Sequence, residues 1–530
     1  MTETEFKKYL WDAANKLRGS VDAAQYKYPV LGLVFLKYIS DIFAAQRGVI
    51  EKRLSDPDSD YYMPEDMRAE ALEELVEDRD FYSQDNVFWV PAEARFAHLL
   101  VTASEPKLGQ RLDDAIADIE KENTKLRGVL YRDFARLPLE SGTLGELMEI
   151  IAKLEFDSDK HGSRDVFGEV YEYMLGQFAL AEGQKAGQFY TARSVVQTLV
   201  EILAPYEGRV YDPCCGSGGM FVYSEKFIEA HGGKRGQVSI YGQELSATTR
   251  KLASMNLAIR GIDYDLGKSY GDTFQNDQHP DLRADYILAN PPFNLKDWGG
   301  DKLEGDPRWQ YGVPPTGNAN FAWLQHMVAR LGSDGRMGTV LANGSLSSTN
   351  GGEGAIRAAL VKADLVECMV AMPGQLFANT QIPVCLWLLS KDKAPGKHGE
   401  IDRRGQVLFI DAGKLGTLIP GSRKQKELSN SEIARIASAY HSWRGTRWSE
   451  DEYRDQSGYC YSASVDEIET HGYMLTPGRY VGTWDIEDDG VAFEERMTQL
   501  TNELFANMKK SKELDALIRH GIGKMGYGEQ

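Results

Sequence analysis

The sequence predicts an α/β protein in which an open sheet with helices on its faces lies between an N-terminal helical domain and a C-terminal helical tail. Three observations lead to this prediction. Apolar runs of strand length alternate with helix-like segments between residues 164 and 423, as is typical of parallel sheets covered by helices. Before and after that range, apolar residues recur at helical spacing. The 530 residues are 42% hydrophobic and 26% charged, an ordinary composition for a globular chain of several domains.

Residues 1–155 are predicted to form the N-terminal helical domain, because they carry two apolar stripes with helical spacing. The first stripe consists of Phe6, Leu10, Trp11, Ala14 and Leu17, and the second of Val30, Leu31, Val34, Phe35, Tyr38, Ile39 and Ile42. Segment 55–85 is acidic and is expected at the surface. The polar segment 156–163 contains Gly and Ser and is the candidate boundary with the next domain.

Residues 164–423 are predicted to form the central α/β domain. Its candidate strands are residues 209–211, 238–242, 284–289, 337–341, 366–371, 383–389 and 406–410. In open α/β sheets of this kind, ligands bind outside the carboxyl ends of the strands. The residues that follow these strands are therefore the first candidates for a functional site.

The stretch 284–294 begins as an apolar run and breaks at two prolines, which cannot continue a ladder. Asn290 is therefore predicted at the carboxyl edge of the sheet. The Asn290 side-chain oxygen and the Pro291 carbonyl are acceptors suited to the two hydrogens of an exocyclic amine, while Phe293 offers a flat face for a planar base. With Pro292, these residues are the candidate catalytic group. The alternative is a strand followed by a Pro-Pro turn and a core Phe.

A Gly-rich turn follows the first candidate strand and ends in a helix start. It contains Asp212, Gly216, Ser217, Gly218 and Gly219, and its glycines allow a sharp turn and a close approach to a ligand. The turn does not match the dinucleotide fingerprint, because Phe221 stands where that pattern needs its last Gly, and it lacks the Gly-Lys-[Ser/Thr] of a P-loop. It is a candidate cofactor loop of another kind.

Two further acids and one aromatic segment complete the candidate cofactor site. Glu244, just after the second strand, is placed to accept hydrogen bonds from ribose hydroxyls. Asp272 is placed to contact an adenine ring, or is only a local cap, since Asp is common at such positions. The aromatics of segment 187–196 either wall the cofactor pocket or pack their helix onto the sheet.

Charge and cysteine content narrow the possible partners and compartment. The net charge is −19 and the isoelectric point is about 5.1, whereas tight DNA binding requires Lys and Arg at the phosphates. If the chain acts on DNA, a local basic surface or a partner subunit must hold the duplex. The five cysteines, Cys214, Cys215, Cys368, Cys385 and Cys460, show no CxxC pair. The acidic start is unlike a signal peptide and the apolar run 30–36 is short, so a cytoplasmic protein with no membrane partner is expected.

The ordered motifs resemble amino-group DNA methyltransferases that use S-adenosylmethionine. They are Gly-Gln-Phe-Tyr-Thr at 187–191, Asp-Pro-x-x-Gly-Ser-Gly at 212–218, the acid at 244 and Asn-Pro-Pro-Phe at 290–293. More narrowly, the chain resembles the modification (M) subunit of type I restriction-modification systems. Segments 17–27 and 35–41 are similar to the N-terminal helical domain of that family, 377–384 to its late-strand signature and 475–481 to a C-terminal segment. The resemblance covers nearly the whole chain.

The resemblance implies an S-adenosylmethionine-dependent methyltransferase with a Rossmann-like sheet, which methylates N6 of adenine in double-stranded DNA without a metal. It implies a complex of two M subunits and one specificity (S) subunit that reads the sequence, with restriction (R) subunits as optional partners. By resemblance, cofactor contacts fall on Gln188, Phe189, Tyr190, Thr191, Ala192, Arg193, Ser217, Gly218, Gly219 and Glu244. Ala192 departs from the family, which usually has Pro there, and is expected to loosen the loop slightly without abolishing binding.

Residues 424–530 are predicted to form a C-terminal region that ends in an amphipathic helix. Its apolar residues are Phe493, Met497, Leu500, Leu504, Phe505, Met508, Leu514 and Leu517. Such a stripe needs a partner surface. That surface is either another part of the chain or another subunit.

Three other functions compete with DNA methylation. A protein glutamine methyltransferase uses a similar Asn-Pro-Pro loop on an amide, but it needs neither the long helical domain nor the C-terminal stripe. A non-catalytic scaffold conflicts with the intact Gly loop and the intact 290–293 motif. A nicotinamide-dependent oxidoreductase conflicts with Phe221.

Overall fold

Helices fill the first part of the chain, as the sequence predicts. The computed structural model describes Trp11 and residues 23–154, 163–182, 191–483 and 493–524, with short gaps at 86, 139–140, 235, 378–379, 420–421 and 423. The helices before the sheet are α1 (Ala23–Ser55), α2 (Glu65–Leu75), α3 (Asp80–Ser83), α4 (Phe96–Val101), α5 (Leu108–Glu122), α6 (Ser141–Ala152) and α7 (Ser163–Glu182). Their apolar side chains form one buried cluster.

Helix α1 carries the second apolar stripe into the centre of this cluster, where Val30 and Val34 are buried. Lys37 does not end the helix, because its ammonium pairs with the Asp41 carboxylate one turn later. By length and composition the segment Lys27–Ser55 could cross a membrane, but 67% of its most apolar window is buried inside the protein. That degree of burial is typical of a core helix. The first apolar stripe lies outside the described residues except for Trp11, which packs against Phe178.

The predicted α/β sheet is confirmed, and eleven strands are described. They are β1 (Gly208–Asp212), β2 (Val238–Gly242), β3 (Tyr264–Asp265), β4 (Ala284–Ala289), β5 (Leu331–Ala342), β6 (Val366–Ala371), β7 (Val384–Ser390), β8 (Gln406–Asp411), β9 (Thr417–Leu418), β10 (Lys426–Glu427) and β11 (Cys460–Ser464). The main sheet has the order β11-β8-β6-β7-β5-β4-β1-β2-β3, and β9 and β10 form a separate pair. Strand β1 lies between β4 and β2 and is parallel to both.

The sheet is mixed, whereas the sequence predicts a parallel one. Strand β7 is antiparallel to both neighbours, β5 and β6. A parallel neighbour needs a long crossover connection, usually through a helix, and the described residues between β6 and β7 contain no helix. The chain therefore turns back at the edge where β6 ends. Strand β11 pairs antiparallel with β8, so the sheet continues beyond residue 423, our predicted end of the central domain.

Helices cover the sheet and pack on its buried strands. They are α8 (Arg193–Leu203), α9 (Gly219–Ala230), α10 (Ala247–Ile259), α11 (Asn320–Arg330), α12 (Glu353–Lys362), α13 (Asn430–Arg444) and α14 (Val465–Thr470). The two central strands β4 and β5 are buried over most of their length. This rigid centre fixes the positions at which the strands end, where the site lies.

Residues Gly482–Gln530 form a unit of their own. Its described part consists of Gly482, Thr483 and the helix α15 (Phe493–Lys524) of 32 residues. Seven apolar side chains of this helix are 47% to 66% exposed, namely Met497, Leu504, Phe505, Met508, Leu514, Leu517 and Ile518.

Candidate active site

The two principal motifs meet at the carboxyl edge of the sheet. Strands β1 and β4 are parallel neighbours, with Tyr211 opposite Ile287, so the residues after both strands emerge side by side. A cleft at this edge is lined by residues of both motifs and of the surrounding helices: Glu172, Thr191, Arg193, Asp212, Gly216, Ser217, Gly219, Met220, Tyr223, Asn256 and Asn290 among them. Residues far apart in the chain thus form one site.

The Gly-rich turn has the conformation that its sequence requires. Gly216 and Gly218 have φ angles of 54° and 80°, in the left-handed region that favours glycine. The Nδ2 of buried Asn256 donates to the Ser217 carbonyl at 2.7 Å and fixes the turn against α10. A Cβ added to Gly219 would meet no atom within 4 Å. Open space therefore adjoins the turn.

Two buried carboxylates stand on the β1–β2 side of the site. The Glu244 carboxylate accepts from the N–H of Gly216 at 3.0 Å and of Ser246 at 2.9 Å. Asp212 Oδ1 accepts from the Cys214 N–H at 3.0 Å. Burial raises the pKa of Asp212 to about 7 and that of Glu244 to about 7, against these hydrogen bonds. Both acids are thus desolvated, and these hydrogen bonds come from neutral backbone N–H groups.

The two ends of the Asn290 side-chain amide, the nitrogen and the oxygen, have different surroundings. Its Nδ2 donates to Thr191 Oγ1 at 2.9 Å, whereas its Oδ1 is buried and has no hydrogen-bond partner among the residues that the structure describes. The residue before it is fixed by Thr339, whose Oγ1 donates to the Ala289 carbonyl at 3.1 Å. A buried oxygen without a donor is costly in a folded protein. It marks a place where a ligand can supply the missing N–H.

Phe293 and the residue after it are also held in place. The ring of Phe293 meets the ring of Phe377 edge to face, with centroids 5.7 Å apart and planes at 86°. Asn294 has a φ of 51°, which is unusual for a residue with a side chain. Its N–H donates to Asn320 Oδ1 at 3.0 Å, and its Oδ1 accepts from Asn320 Nδ2 at 2.9 Å.

Most of the predicted cofactor residues that are described lie at or beside the cleft. Ala192 is buried at the start of α8 with a φ of −56°, close to the value that a proline would fix. Asp272 Oδ1 accepts from the N–H of Phe274 and Gln275 at 2.7 and 3.1 Å, which is the cap that we considered as the alternative. Its contact with an adenine ring stays a prediction. Gln188, Phe189 and Tyr190 lie outside the described residues.

Sequence reasoning missed three residues that shape the site: Asn256, Asn320 and Thr339. Thr339 gave a readable signal, because it is a hydroxyl within the predicted buried strand 337–341 and a buried hydroxyl needs a partner. Asn256 and Asn320 gave none, since an Asn in a helix or at its start is common on protein surfaces. Only the fold brings Asn256 to the Gly-rich turn and Asn320 to the residue after the 290–293 segment.

Comparison with known proteins gives two family matches. The N-6 DNA methylase family model matches residues 162–489, and the HsdM N-terminal domain model matches residues 6–151. The first match alone covers more than half of the chain. The second covers the helical part.

Sequence relatives and a solved structure agree with these matches. The chain is 49% identical to the type I restriction enzyme HindI methylase subunit of Haemophilus influenzae, over 78% of this chain and 92% of that protein. It is 37% identical to the MjaIX methylase subunit of Methanocaldococcus jannaschii, over 99% and 92%. A type I restriction-modification methyltransferase subunit from Streptococcus thermophilus has a TM-score of 0.72 at 25% identity, covering 91% of this chain and all of that one.

Proposed function

The chain belongs to the N-6 DNA methylase family, as a methylase subunit of the type I restriction enzymes, and on this premise we propose how its residues carry out the reaction. It transfers a methyl group from S-adenosylmethionine to N6 of adenine in double-stranded DNA. The observation that carries our assignment of the catalytic group is the buried Oδ1 of Asn290 at the carboxyl end of β4, which no described residue meets with a hydrogen-bond donor.

Asn290 and Pro291 act on the adenine amine. The lone pair of N6 is delocalised into the ring and is a weak nucleophile until the amine becomes pyramidal. Two acceptors aimed at its two hydrogens favour that form. Asn290 Oδ1 is one of them, since Nδ2 is already engaged by Thr191, and the Pro291 carbonyl is the other. Pro292 keeps the chain from continuing as a strand.

Phe293 holds the base. An adenine inside a duplex cannot reach a pocket at the edge of a sheet, so it must leave the stack. The ring of Phe293 offers a face on which the extruded base stacks, and the perpendicular ring of Phe377 keeps that face in place. Orienting the amine in this way supplies much of the catalysis, because the two reactants are held together in the reactive geometry.

The Gly-rich turn and the acids fit S-adenosylmethionine. Space beside Gly219 leaves room for a ligand against the backbone, and the buried carboxylates of Asp212 and Glu244 favour a ligand with positive charge and hydroxyl donors. Glu244 accepts hydrogen bonds from the ribose hydroxyls, and Thr191, Arg193 and Ser217 surround the rest of the cofactor. When bound, S-adenosylmethionine supplies an electrophilic methyl group on a positively charged sulfur.

Partner subunits supply the contacts to the DNA phosphates that this acidic chain lacks. A net charge of −19 opposes tight binding of the phosphates by this subunit alone. We assign the reading of the DNA sequence to an S subunit, in a complex with two copies of this chain. We assign docking to the apolar stripe of α15, whose described side chains are exposed. The cysteines are free thiols, as expected for a complex that works in the cytoplasm.

Methyl transfer from radiolabelled S-adenosylmethionine tests this proposal, with the purified chain alone and with its co-expressed S subunit. Label at N6 of adenine only in the presence of the S subunit supports the division of roles. Label with the chain alone contradicts the argument from its acidity. Label in a protein and none in DNA contradicts DNA as the substrate and favours the alternative function, methylation of a protein glutamine.

A further inference from the structure

Asn320 makes a two-bond contact with the residue that follows the catalytic group. The amide of Asn320, at the first position of α11, is 1% exposed. Its Oδ1 accepts from the backbone N–H of Asn294, and its Nδ2 donates to the side-chain oxygen of the same residue. The neighbouring Ala319 N–H donates to the Leu295 carbonyl at 3.0 Å. Three hydrogen bonds thus hold one short piece of chain against the start of one helix.

This contact stabilises a backbone conformation that a residue with a side chain adopts rarely. Asn294 has a φ of 51°, and Asn tolerates this region better than most residues do. The residue directly before it is Phe293, so a change of φ at Asn294 would redirect the chain that carries the ring. On the other side of the catalytic group, Thr339 holds the Ala289 carbonyl. The segment 290–293 is therefore fastened at both ends.

We propose that Asn320 is a positioning residue for methyl transfer, which acts through Asn294 to keep Phe293 and Asn290 in the geometry that receives the extruded adenine. This inference rests on the function proposed above for residues 290–293. Asn320 is not among the described residues that line the cofactor cleft, so we expect its substitution to leave the binding of S-adenosylmethionine unchanged. Its effect is confined to the base side of the reaction.

The test uses the complex with the S subunit and compares three variants of the full chain. Asn320→Leu removes both bonds to Asn294. Asn320→Asp keeps both, because the Asn294 amide can turn over and donate to the new carboxylate. Gln325→Leu is the matched control: Gln325 is equally buried on the same helix and also makes two amide bonds, to the Tyr311 N–H and the Gly312 carbonyl.

We expect Asn320→Leu to lower kcat by about 10- to 100-fold, the range for a small misplacement of reacting groups, with an unchanged Kd for S-adenosylmethionine. Asn320→Asp should retain most of the activity. Gln325→Leu should lower the Tm without lowering kcat. A 2-aminopurine base at the target position should show less fluorescence gain on binding to Asn320→Leu than to the wild type, since the extruded base is held less well.

Wild-type kcat for Asn320→Leu, with a lowered Tm as in Gln325→Leu, would overturn the proposal and leave Asn320 a purely structural residue. If Asn320→Leu does not fold, Asn320→Ala replaces it, because it also removes both bonds to Asn294 without placing a large apolar side chain at the start of α11. An unchanged kcat in that variant contradicts the proposal as well. Asn290→Ala is measured in parallel: normal methylation there would refute the proposed catalytic group itself, whereas loss in Asn290→Ala alone refutes only the role of Asn320.

Discussion

The side-chain amide of Asn290 donates through Nδ2 to Oγ1 of Thr191 at 2.9 Å, and this bond joins segments 99 residues apart. Thr191 belongs to the segment before α8, on the cofactor side of the cleft, and Asn290 ends β4 on the base side. Because the bond engages the nitrogen, it directs the oxygen of the same amide away from Thr191, where no donor from the described part of the chain meets it. One hydroxyl thus selects which end of the amide is presented to the substrate.

Asn290→Ala should abolish methylation and leave cofactor binding nearly intact. Removing a preorganised hydrogen-bonding group from a site of developing charge lowers kcat by about 100- to 1000-fold in well-studied enzymes, and here both the acceptor and its orientation are lost. Incorporation of label into DNA measures the first effect, and calorimetric titration with S-adenosylmethionine measures the second. Normal methylation by this variant would show that the amine is activated in another way.

Thr191→Val should lower kcat by about 3- to 10-fold, because one neutral hydrogen bond contributes about 0.5–1.5 kcal/mol and the Asn290 amide becomes free to turn over. Thr191→Ser keeps the hydroxyl and should stay near the wild-type rate. Thr198→Val is the control. It removes the hydroxyl that donates to the Ser194 carbonyl within helix α8, away from Asn290. Equal rates for Thr191→Val and Thr198→Val would contradict an orienting role for Thr191.

Much of the fold follows from sequence pattern, because buried strands in this chain are unbroken apolar runs. Strands β2, β4 and β6 have the predicted bounds, β1, β5 and β8 are longer than predicted, and β7 is shifted by one residue because it begins after Pro383. The direction of β7 could not be predicted, since a buried run has the same composition in a parallel and in an antiparallel strand. Strand β11 was not predicted, because only Cys460 and Ala463 of its five residues are buried and no apolar run marks it.

The site was predictable where its chemistry is local in the sequence. The glycine pattern around Gly216 and the prolines after Asn290 carry their meaning within a few residues. Thr339 and Asn320 act on the catalytic segment only because β5 and α11 bring them to it, and no local pattern contains that information. Asp272 shows a second limit of local pattern. An acid near a turn has the same sequence pattern whether it caps the backbone or binds a ligand, and here it caps the N–H of Phe274.

Cofactor affinity should rise as the pH increases from 6 to 8. The pKa of Glu244 and that of Asp212 are raised to about 7 by burial, so both acids hold protons more tightly in the folded protein than in the unfolded chain. Their contribution to the free energy of unfolding is therefore present at low pH and is lost as the pH rises through about 7. A cationic ligand with hydroxyl donors favours the ionised forms, and binding should release protons.

Calorimetry in buffers of different ionisation enthalpy measures that release, and the Kd at pH 6 should be about 10-fold weaker than at pH 8, as expected for one acid with this pKa. Glu244→Gln should weaken binding by about 1–3 kcal/mol, the range for hydrogen bonds to a charged group, and should flatten the pH dependence. Glu229→Gln is the control, an exposed acid at the end of α9. A flat profile in the wild type would contradict a role for ionised carboxylates in binding.

Leu504→Glu combined with Met508→Glu should abolish DNA methylation by separating the chain from its S subunit. The two side chains are 58% and 51% exposed and lie one turn apart on α15, so a carboxylate at each would have to be desolvated on docking. Binding of S-adenosylmethionine should be unchanged, because the cleft is built from residues 172–290. Ala506→Glu is the matched control, since Ala506 lies midway between Leu504 and Met508 in the sequence and therefore on the opposite face of the helix. Co-purification with the S subunit gives the readout. Retention of the S subunit by the double variant, with normal methylation, would show that the stripe of α15 is not the docking surface.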